Sequence, residues 1–181
     1  MPVFEGKKIL ITGGTGSLGN ALTSRLLNYD VDTIRIFSRN ENKQITMESK
    51  FNDDRLRFLL GDIRDYDSVS KAMAECDAVF HLAALIGIPY SYISPLAYIR
   101  TNIEGTYPIL EASKNHNIDQ LIVTSTSETY GTAEKIPINE QHRLLGQSPY
   151  SASKISADQL SISYWRSFKL PVKIIRPFNT Y

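Results

Sequence analysis

The sequence predicts an α/β fold in which helices flank a doubly wound parallel sheet. The first observation is an alternation of short apolar runs, rich in β-branched residues, with longer segments of helical spacing, and this alternation is typical of βαβ units. The second is a glycine-rich turn directly after the first apolar run. Composition agrees with a globular domain, because 42% of the 181 residues are hydrophobic and 22% are charged.

Six segments are predicted to be strands: Lys8 to Thr12, Thr33 to Phe37, Leu56 to Leu60, Ala78 to His81, Gln120 to Thr126 and Val172 to Arg176. Helical spacing of apolar residues predicts helices around Leu18 to Leu26 and Val69 to Met73, and longer ones over Leu96 to Asn115 and Ser151 to Phe168. No repeat or Gly/Ser-rich linker divides the chain. We therefore expect one domain over residues 1–181, with a long loop from Gly131 to Pro149.

Several classes of protein are disfavoured by the bulk properties. The formal net charge is +1, which gives no reason to expect a nucleic acid or an anionic membrane as partner. No apolar run approaches the roughly 20 residues of a membrane helix. Cys76 is the single cysteine, and the first residues do not resemble a signal peptide. No other potential metal ligands accompany His81 or His116 at metal-binding spacing. We expect a cytoplasmic protein without a metal site.

The glycine turn runs from Gly13 to Gly19, between a predicted strand and a predicted helix. Gly13 permits a tight turn, Gly16 lets the backbone approach a pyrophosphate, and Gly19 lets the helix lie close to the strand. The pyrophosphate would lie at the helix N-terminus. The spacing Gly-x-x-Gly-x-x-Gly differs from the common dinucleotide fingerprint, but its placement predicts a Rossmann-type domain that binds a nicotinamide dinucleotide.

The end of the second strand favours NADP over NAD. Ser38 lies where an acidic residue would bind the 2′-hydroxyl of NAD, and Arg39 beside it suits a 2′-phosphate. Lys43 offers a second cation, and Asp62 after the third strand offers an acceptor for the adenine amino group. We therefore expect NADP, with NAD as the alternative.

A tyrosine and a lysine lie four residues apart at the start of the last long helix, in Tyr150-Ser151-Ala152-Ser153-Lys154. They share a helix face, and a neighbouring ammonium is expected to lower the pKa of the phenol so that it can accept a hydroxyl proton. The hydroxyl residues Thr124 to Thr126 end the preceding strand. Together these features predict a hydride-transfer site.

With these motifs in order, the chain resembles an extended short-chain dehydrogenase/reductase of the nucleotide-sugar epimerase and dehydratase group. The resemblance covers essentially all 181 residues. It implies that Thr126 contacts the sugar 4-hydroxyl, that Tyr150 is the base, and that Lys154 activates the tyrosine and contacts the ribose. The cofactor-binding residues predicted from the motifs and the resemblance are Gly13, Thr15, Gly16, Ser17, Leu18, Gly19, Ser38, Arg39, Lys43, Asp62, Ile63, Leu82, Ala83, Ala84, Asn102, Thr124, Tyr150, Lys154 and Pro177. Predicted substrate contacts are Leu85, Ser127 and Asn179.

Glu128 favours a 4,6-dehydratase within that group. In this family, simple 4-epimerases usually carry small neutral residues after the threonine that corresponds to Thr126. The dehydratases carry an acid there, which removes the C5 proton. Once C4 is a ketone, a carboxylate at this position can drive loss of the 6-hydroxyl as water. Three alternatives stay open: a 4-epimerase, a UDP-uronate decarboxylase, which shares Ser-Thr-Ser-Glu, and a non-catalytic NADP-binding module.

The substrate implied by the resemblance is UDP-N-acetylglucosamine, in the synthesis of sugars for surface polysaccharides or glycans. The first eighty residues resemble the C5-inverting dehydratases, but those enzymes carry Asp-Lys where this chain has Ser127-Glu128. The second half resembles the C5-retaining dehydratases, so the resemblance favours retention at C5. Family members continue past residues 176–179 into the part that completes the sugar pocket, so we expect that part to be absent here. The resemblance further implies a homodimer through a four-helix interface. We expect the isolated chain to bind NADP(H) but to turn over a UDP-sugar poorly.

Overall fold

The computed structural model describes residues 3–178. Within them six strands form one parallel sheet: β1 (Lys8–Thr12), β2 (Thr33–Ser38), β3 (Leu56–Leu60), β4 (Ala78–His81), β5 (Gln120–Thr124) and β6 (Val172–Ile175). Their order is β3-β2-β1-β4-β5-β6, so the direction of winding reverses between β1 and β4. The predicted doubly wound Rossmann-type sheet is confirmed, and such a reversal leaves a crevice at the carboxyl ends of the strands.

The helices connect successive strands. They are α1 (Ser17–Leu26), α2 (Glu41–Phe51), α3 (Tyr66–Met73), α4 (Ile88–Ile93), α5 (Pro95–Tyr98), α6 (Thr106–Asn115) and α7 (Pro149–Phe168). A π-helical turn covers Ile99–Glu104, and a 3-10 turn covers Ser127–Tyr130. No described helix is long and apolar enough to cross a membrane.

Alternate residues of the strands supply two hydrophobic cores, one on each face of the sheet. Ile9 and Ile11 belong with Leu26 and Met47 to the core under α1 and α2. Leu10 points to the opposite face, where it joins the core that contains residues of α3, α6 and α7. Because side chains alternate along a strand, β1 is buried on both faces and reads as a continuous apolar run.

The predicted single helix over Leu96 to Asn115 is wrong in detail, because the π-helical turn interrupts it. Pro108 lies in the first turn of α6, where its missing N–H is tolerated, but its ring is incompatible with a regular helix running through Glu104. Gly105 at the junction lies directly against the Thr101 carbonyl. The interruption therefore has a local cause, and it moves Thr101 and Asn102 out of regular helical register.

Strand ends also differ by one or two residues from the sequence prediction. β2 extends to Ser38, and β6 ends at Ile175. β5 ends at Thr124 rather than at Thr126, because Thr126 becomes the N-cap of the 3-10 turn and accepts the Glu128 N–H at 3.2 Å. The chain therefore turns at the first catalytic candidate.

Candidate functional site

The glycine turn forms one wall of the crevice at the β1/β4 reversal. Gly13 has φ +67°, and a Cβ there would lie 2.7 Å from the Ala83 backbone nitrogen. Gly16 is the N-cap of α1, and no side chain caps the first N–H groups of that helix. A Cβ on Gly19 would collide with the Gly14 carbonyl. These positions leave the N-terminus of α1 open to an anion, as a bound pyrophosphate requires.

A cavity of about 600 Å³ occupies this crevice. Of the predicted cofactor residues it is lined by Gly13, Thr15, Gly16, Ser38, Arg39, Lys43, Ile63, Ala83 and Ala84. Phe37, Asn40, Gly61 and Thr101 also line it and were not predicted. The sequence held a signal for Gly61, which directly follows the third predicted strand and precedes Asp62. In the structure a Cβ on Gly61 would lie 2.5 Å from the Phe37 ring. The volume and the lining fit a dinucleotide.

At the β2 end of the cavity, Ser38 is buried and its hydroxyl accepts a hydrogen bond from Gln44 Nε2 at 3.0 Å. Arg39 is more than half exposed, with a guanidinium nitrogen 3.6 Å from the Asp62 carboxylate. Lys43 lies in the first turn of α2 and also faces the cavity. Two cations thus border the position where the second strand ends.

Asp62 is already engaged by protein groups. Its carboxylate accepts Arg64 Nε at 3.0 Å, Arg64 Nη2 at 2.6 Å and the Arg64 N–H at 3.0 Å. The Arg64 hydrogen bonds hold the pKa of Asp62 down at about 2. A carboxylate has about four acceptor positions, and Arg64 occupies three of them. The remaining position, on the oxygen that Arg39 approaches, is the one available for the predicted bond to an adenine amino group.

Asn102, which was predicted to contact the cofactor, is engaged by protein groups in the structure. The residue is 1% exposed. Its amide nitrogen donates to the Leu85 carbonyl and to Ser153 Oγ, each at 2.9 Å, and its oxygen accepts the Leu85 N–H at 2.8 Å. Both amide protons are used, so none is left to donate to a ligand. Asn102 instead fixes the loop after β4 against α7.

His81 is buried and neutral, as its position at the end of β4 suggests. Its Nδ1 lies 2.7 Å from Thr12 Oγ1 and its Nε2 lies 3.3 Å from Thr106 Oγ1. Burial, assisted by the positive charge of Lys154, lowers its pKa to about 3. Residues 3–178 contain no group of three or more potential metal ligands.

The catalytic candidates meet at the start of α7. Ser148 and Ser151 form a capping box that fixes the first turn, and Tyr150 in that turn is 6% exposed. Lys154 follows one turn later and donates to the Thr124 carbonyl at 2.7 Å. The helix therefore places Tyr150 and Lys154 beside the end of β5.

The expected lowering of the Tyr150 pKa by Lys154 is not what the structure has. Burial raises the pKa of Tyr150, and the Glu128 charge adds to this, while a hydrogen bond with Thr126 opposes it. The Lys154 ammonium is directed at a backbone carbonyl, and burial lowers its own pKa to about 8. The structure therefore favours the protonated phenol over the phenolate.

Glu128 lies on the 3-10 turn, exposed, and close enough to Tyr150 for its charge to act on the phenol. The neighbouring Ser127 N–H donates to the Pro177 carbonyl at 3.1 Å, which ties this turn to the end of β6. Thr126, Glu128 and Tyr150 are thus brought together. Asn179, predicted to contact substrate, lies outside the described residues.

Two polar residues around this site, Asp158 and Arg176, were not predicted from the sequence, and both contact or neighbour Ser125 of the predicted hydroxyl run. Asp158 accepts from Ser125 Oγ at 3.0 Å and from Arg176 Nε at 2.9 Å. The sequence held one signal for it, since Asp158 follows Lys154 at the same four-residue interval that separates Lys154 from Tyr150.

A family model described as GDP-mannose 4,6 dehydratase matches residues 10–181. The chain belongs to this family. The resemblance drawn from the motifs is therefore confirmed, and with it the assignment to the nucleotide-sugar dehydratases and epimerases, a family of enzymes.

Two curated relatives represent both activities. A UDP-glucose 4-epimerase from Rickettsia rickettsii is 43% identical over 130 residues, which are 70% of this chain and 38% of the relative. An inverting UDP-N-acetylglucosamine 4,6-dehydratase from Campylobacter jejuni is 37% identical over 162 residues, or 89% of this chain and 44% of the relative. The chain spans less than half the length of each.

Among solved structures, a UDP-glucuronic acid 4-epimerase from Bacillus cereus, in complex with UDP-glucuronic acid and NAD, superposes with a TM-score of 0.86. It is 31% identical and covers 93% of this chain and 55% of that protein. The likeness supports a nicotinamide dinucleotide in the crevice, without distinguishing NADP from NAD. The family model and these relatives include both dehydratases and epimerases, so the comparisons do not distinguish the two reactions.

Proposed function

We propose that this chain carries the dinucleotide site and the catalytic residues of a nucleotide-sugar 4,6-dehydratase that acts on UDP-N-acetylglucosamine, in the synthesis of sugars for surface polysaccharides or glycans. The observation that carries the proposal is the position of Glu128, an exposed carboxylate whose charge acts on Tyr150 and whose backbone is bonded to Thr126. An epimerase needs no such acid.

The reaction begins at the sugar 4-hydroxyl. Thr126 and Tyr150 hydrogen-bond to it, and the deprotonated form of Tyr150 accepts its proton. A nicotinamide dinucleotide held by the glycine turn, Arg39 and Lys43 would supply the hydride chemistry between C4 and C6. The Lys154 ammonium, one helical turn away, stabilises the phenolate once the site is closed to water. Because burial raises the pKa of Tyr150, the phenol must release its proton to solvent before it can act as base.

Elimination follows at C5 and C6. The C4 ketone acidifies the C5 proton, and the Glu128 carboxylate removes it. Ser127 is no acid, so the proton held by Glu128 is the one available to the departing C6 hydroxyl, which leaves as water. After a hydride has reached C6, C5 accepts a proton from solvent, and Tyr150 releases to solvent the proton that it took from the 4-hydroxyl. The sugar loses one water, and the cofactor ends in its starting oxidation state.

NADP is the proposed cofactor. Arg39 and Lys43 border the cavity at the end of β2, and no acidic side chain occupies position 38. The 2′-phosphate would form charge-assisted hydrogen bonds with these cations. Asp62, 3.6 Å from Arg39, orients that guanidinium.

Incubation of a full-length version of the protein with UDP-N-acetylglucosamine and NADP⁺ in D₂O tests the reaction class. A dehydratase yields a 4-keto-6-deoxy sugar with deuterium at C5. A parallel reaction in H₂O, followed by borohydride reduction of the C4 ketone, gives H4–H5 coupling constants that distinguish retention at C5, which we propose, from inversion. A 4-epimerase yields an isomer of unchanged mass without deuterium, and it is the second candidate because of the Rickettsia relative. A decarboxylase releases CO₂ from a UDP-uronic acid.

The Glu128→Gln variant separates dehydration from hydride transfer. We expect it to abolish water loss while the cofactor is still reduced by the substrate, since Thr126, Tyr150 and Lys154 remain. The matched control is Glu134→Gln, which changes an exposed loop glutamate that pairs with Arg143 and should leave turnover unaltered. Undiminished dehydration by Glu128→Gln would refute the role given to Glu128. Absence of turnover in a full-length version of the protein, with NADP bound, would favour a non-catalytic module.

We further propose a homodimer formed by the helices next to the site. Leu96, Ile99 and Tyr107 on one side and Trp165 on α7 are each about half exposed, although large apolar side chains are usually buried. Light scattering of the purified chain should give twice the monomer mass, and a Trp165→Glu variant should give a monomer. A monomeric wild type would refute the dimer.

A further inference from the structure

The buried face of α7 carries a third ionisable residue beyond Tyr150 and Lys154. Asp158 lies one further turn along the same face, and none of its surface is exposed. Burying a carboxylate is unfavourable unless it is paired. The proposed reaction gives this residue no contact with substrate or cofactor, so its burial needs another explanation.

Asp158 connects the segments that carry the catalytic groups. Its Oδ2 accepts Ser125 Oγ at 3.0 Å and Arg176 Nε at 2.9 Å. Ser125 directly precedes Thr126, and Arg176 directly precedes Pro177, whose carbonyl accepts the Ser127 N–H. One carboxylate oxygen therefore joins α7, the end of β5 and the end of β6.

The second oxygen does not take part in this connection. Asp158 Oδ1 is buried and has no hydrogen-bond partner among the described residues. A neutral asparagine could accept both existing bonds through its single side-chain oxygen. The property that aspartate adds at this position is its negative charge.

That charge pairs with Arg176 at 2.9 Å, and it also acts on Lys154, which lies one helical turn away on the same face. Burial lowers the pKa of Lys154 to about 8, and Asp158 opposes the fall. In return Arg176, Ser125 and Lys154 oppose the rise that burial causes in the pKa of Asp158. The ring of His81 on β4 is neutral and offers Lys154 no counter-charge.

The other ionisable neighbours face Tyr150 rather than Lys154. Tyr98 of α5 packs edge-on against Tyr150 at 6.2 Å between ring centroids. Glu128, on the 3-10 turn, acts on the Tyr150 phenol. Tyr130 is bonded to Arg176. Asp158 is therefore the anion that acts on Lys154 among the described groups.

We propose that Asp158 is a positioning residue whose buried carboxylate keeps the Lys154 ammonium charged and joins the segments that carry Thr126 and Tyr150. This inference rests on the proposed function, because the value of a charged Lys154 lies in stabilising the Tyr150 phenolate. It adds a third member to the helix face that the Tyr-x-x-x-Lys motif defines.

The test is an NMR titration of Lys154 in the cofactor-free chain labelled with ¹³C-lysine. The Lys154 signal is assigned by its absence in Lys154→Met. The wild-type midpoint is expected near about 8. In Asp158→Asn the midpoint should fall by about 1 pH unit or more, which is the effect of removing a nearby opposite charge. Asp158→Glu, which keeps the charge, should preserve most of the wild-type midpoint.

Ser125→Ala is the matched control, because it removes a neutral hydrogen bond to the same oxygen and leaves the charge. Its Lys154 midpoint should equal that of the wild type. An equal fall in Ser125→Ala and Asp158→Asn would overturn the charge role, and so would an unchanged midpoint in Asp158→Asn. Because Asp158→Asn leaves Arg176 buried without a counter-ion, its fold is checked by circular dichroism.

If Asp158→Asn does not fold, the double variant Asp158→Asn/Arg176→Met replaces it. Removing both members of a buried ion pair is often tolerated, and the Lys154 midpoint should still fall. An unchanged midpoint in the folded double variant would overturn the proposal.

The titration uses no substrate, so its result is separate from that of the turnover assay. Dehydration together with an unshifted Lys154 midpoint would overturn the role of Asp158 and leave the proposed function intact. A shifted midpoint, together with no dehydrated product from a full-length version of the protein, would refute the proposed function instead. If both hold, the pH profile of dehydration should move with the Lys154 midpoint in each variant.

Discussion

The glycine turn can be tested by adding a single methyl group at Gly13. Alanine there must adopt φ +67° and place Cβ 2.7 Å from the Ala83 nitrogen and 2.8 Å from its Cα. The left-handed conformation costs a non-glycine residue roughly 1 kcal/mol. Ordinary van der Waals contact begins near 3.4 Å, so backbone atoms must also move, and such overpacking costs about 1–3 kcal/mol. We expect Gly13→Ala to lower the free energy of unfolding by about 2–4 kcal/mol.

Gly6→Ala is a matched control for the backbone part of that cost. Gly6 has φ +66°, but no heavy atom lies within 4 Å of its added Cβ. It should lose only about 1 kcal/mol, measured by urea unfolding of both variants. The difference between the two variants then isolates the contact with Ala83.

The same pair of variants links the contact to binding. Ala83 lines the cavity, so its displacement in Gly13→Ala should raise the dissociation constant of NADPH by about tenfold or more, equivalent to about 1.4 kcal/mol. Gly6→Ala should bind NADPH like the wild type. If Gly13→Ala unfolds no more easily than Gly6→Ala and binds NADPH equally well, the close approach of the two loops does not shape the site.

Arg39→Ala should weaken NADPH binding by about tenfold or more while sparing NADH, since a bond to a charged group contributes about 1.5–3 kcal/mol; an equal loss for both in fluorescence titrations would place the 2′-phosphate elsewhere. Tyr150→Phe should reduce substrate-dependent cofactor reduction by about 10²–10⁴-fold with NADPH binding retained, and activity near the wild-type level would exclude Tyr150 as base. Arg55 holds the pKa of Asp53 at about 2, against a usual value of 3.8. This bond therefore stabilises the fold above about pH 4 and is lost as pH falls through 2, so Asp53→Asn should cost about 1 kcal/mol at pH 6 and less at pH 2.5; a constant difference in urea unfolding would contradict it.

The strands and the glycine turn could be predicted from the sequence because their signals are local. β1, β3 and β4 begin and end where their apolar runs do, and the role of Gly13 follows from its place between β1 and α1. Parallel pairing follows from the helical segments between the strands.

Other features depend on contacts that sequence spacing does not encode. The break in the helix after Tyr98 combines Pro108 with the close contact at Gly105. Asn102 has the chemistry of a ligand-binding residue, yet its amide is used by Leu85 and Ser153. The pKa of Tyr150 depends on how deeply the phenol is buried, which four-residue spacing to Lys154 cannot reveal.

The same contrast divides the site by mechanism. The dinucleotide half is built from backbone, through glycines and a helix N-terminus, so its properties follow directly from a short motif. The catalytic half is built from side chains on β5, the 3-10 turn and α7, and their alignment depends on buried polar bonds made by Asn102 and Asp158. Disrupting either bond displaces catalytic side chains relative to one another without touching the glycine turn. Substitutions there should consequently impair hydride transfer before they impair cofactor binding, and substitutions in the turn should do the reverse.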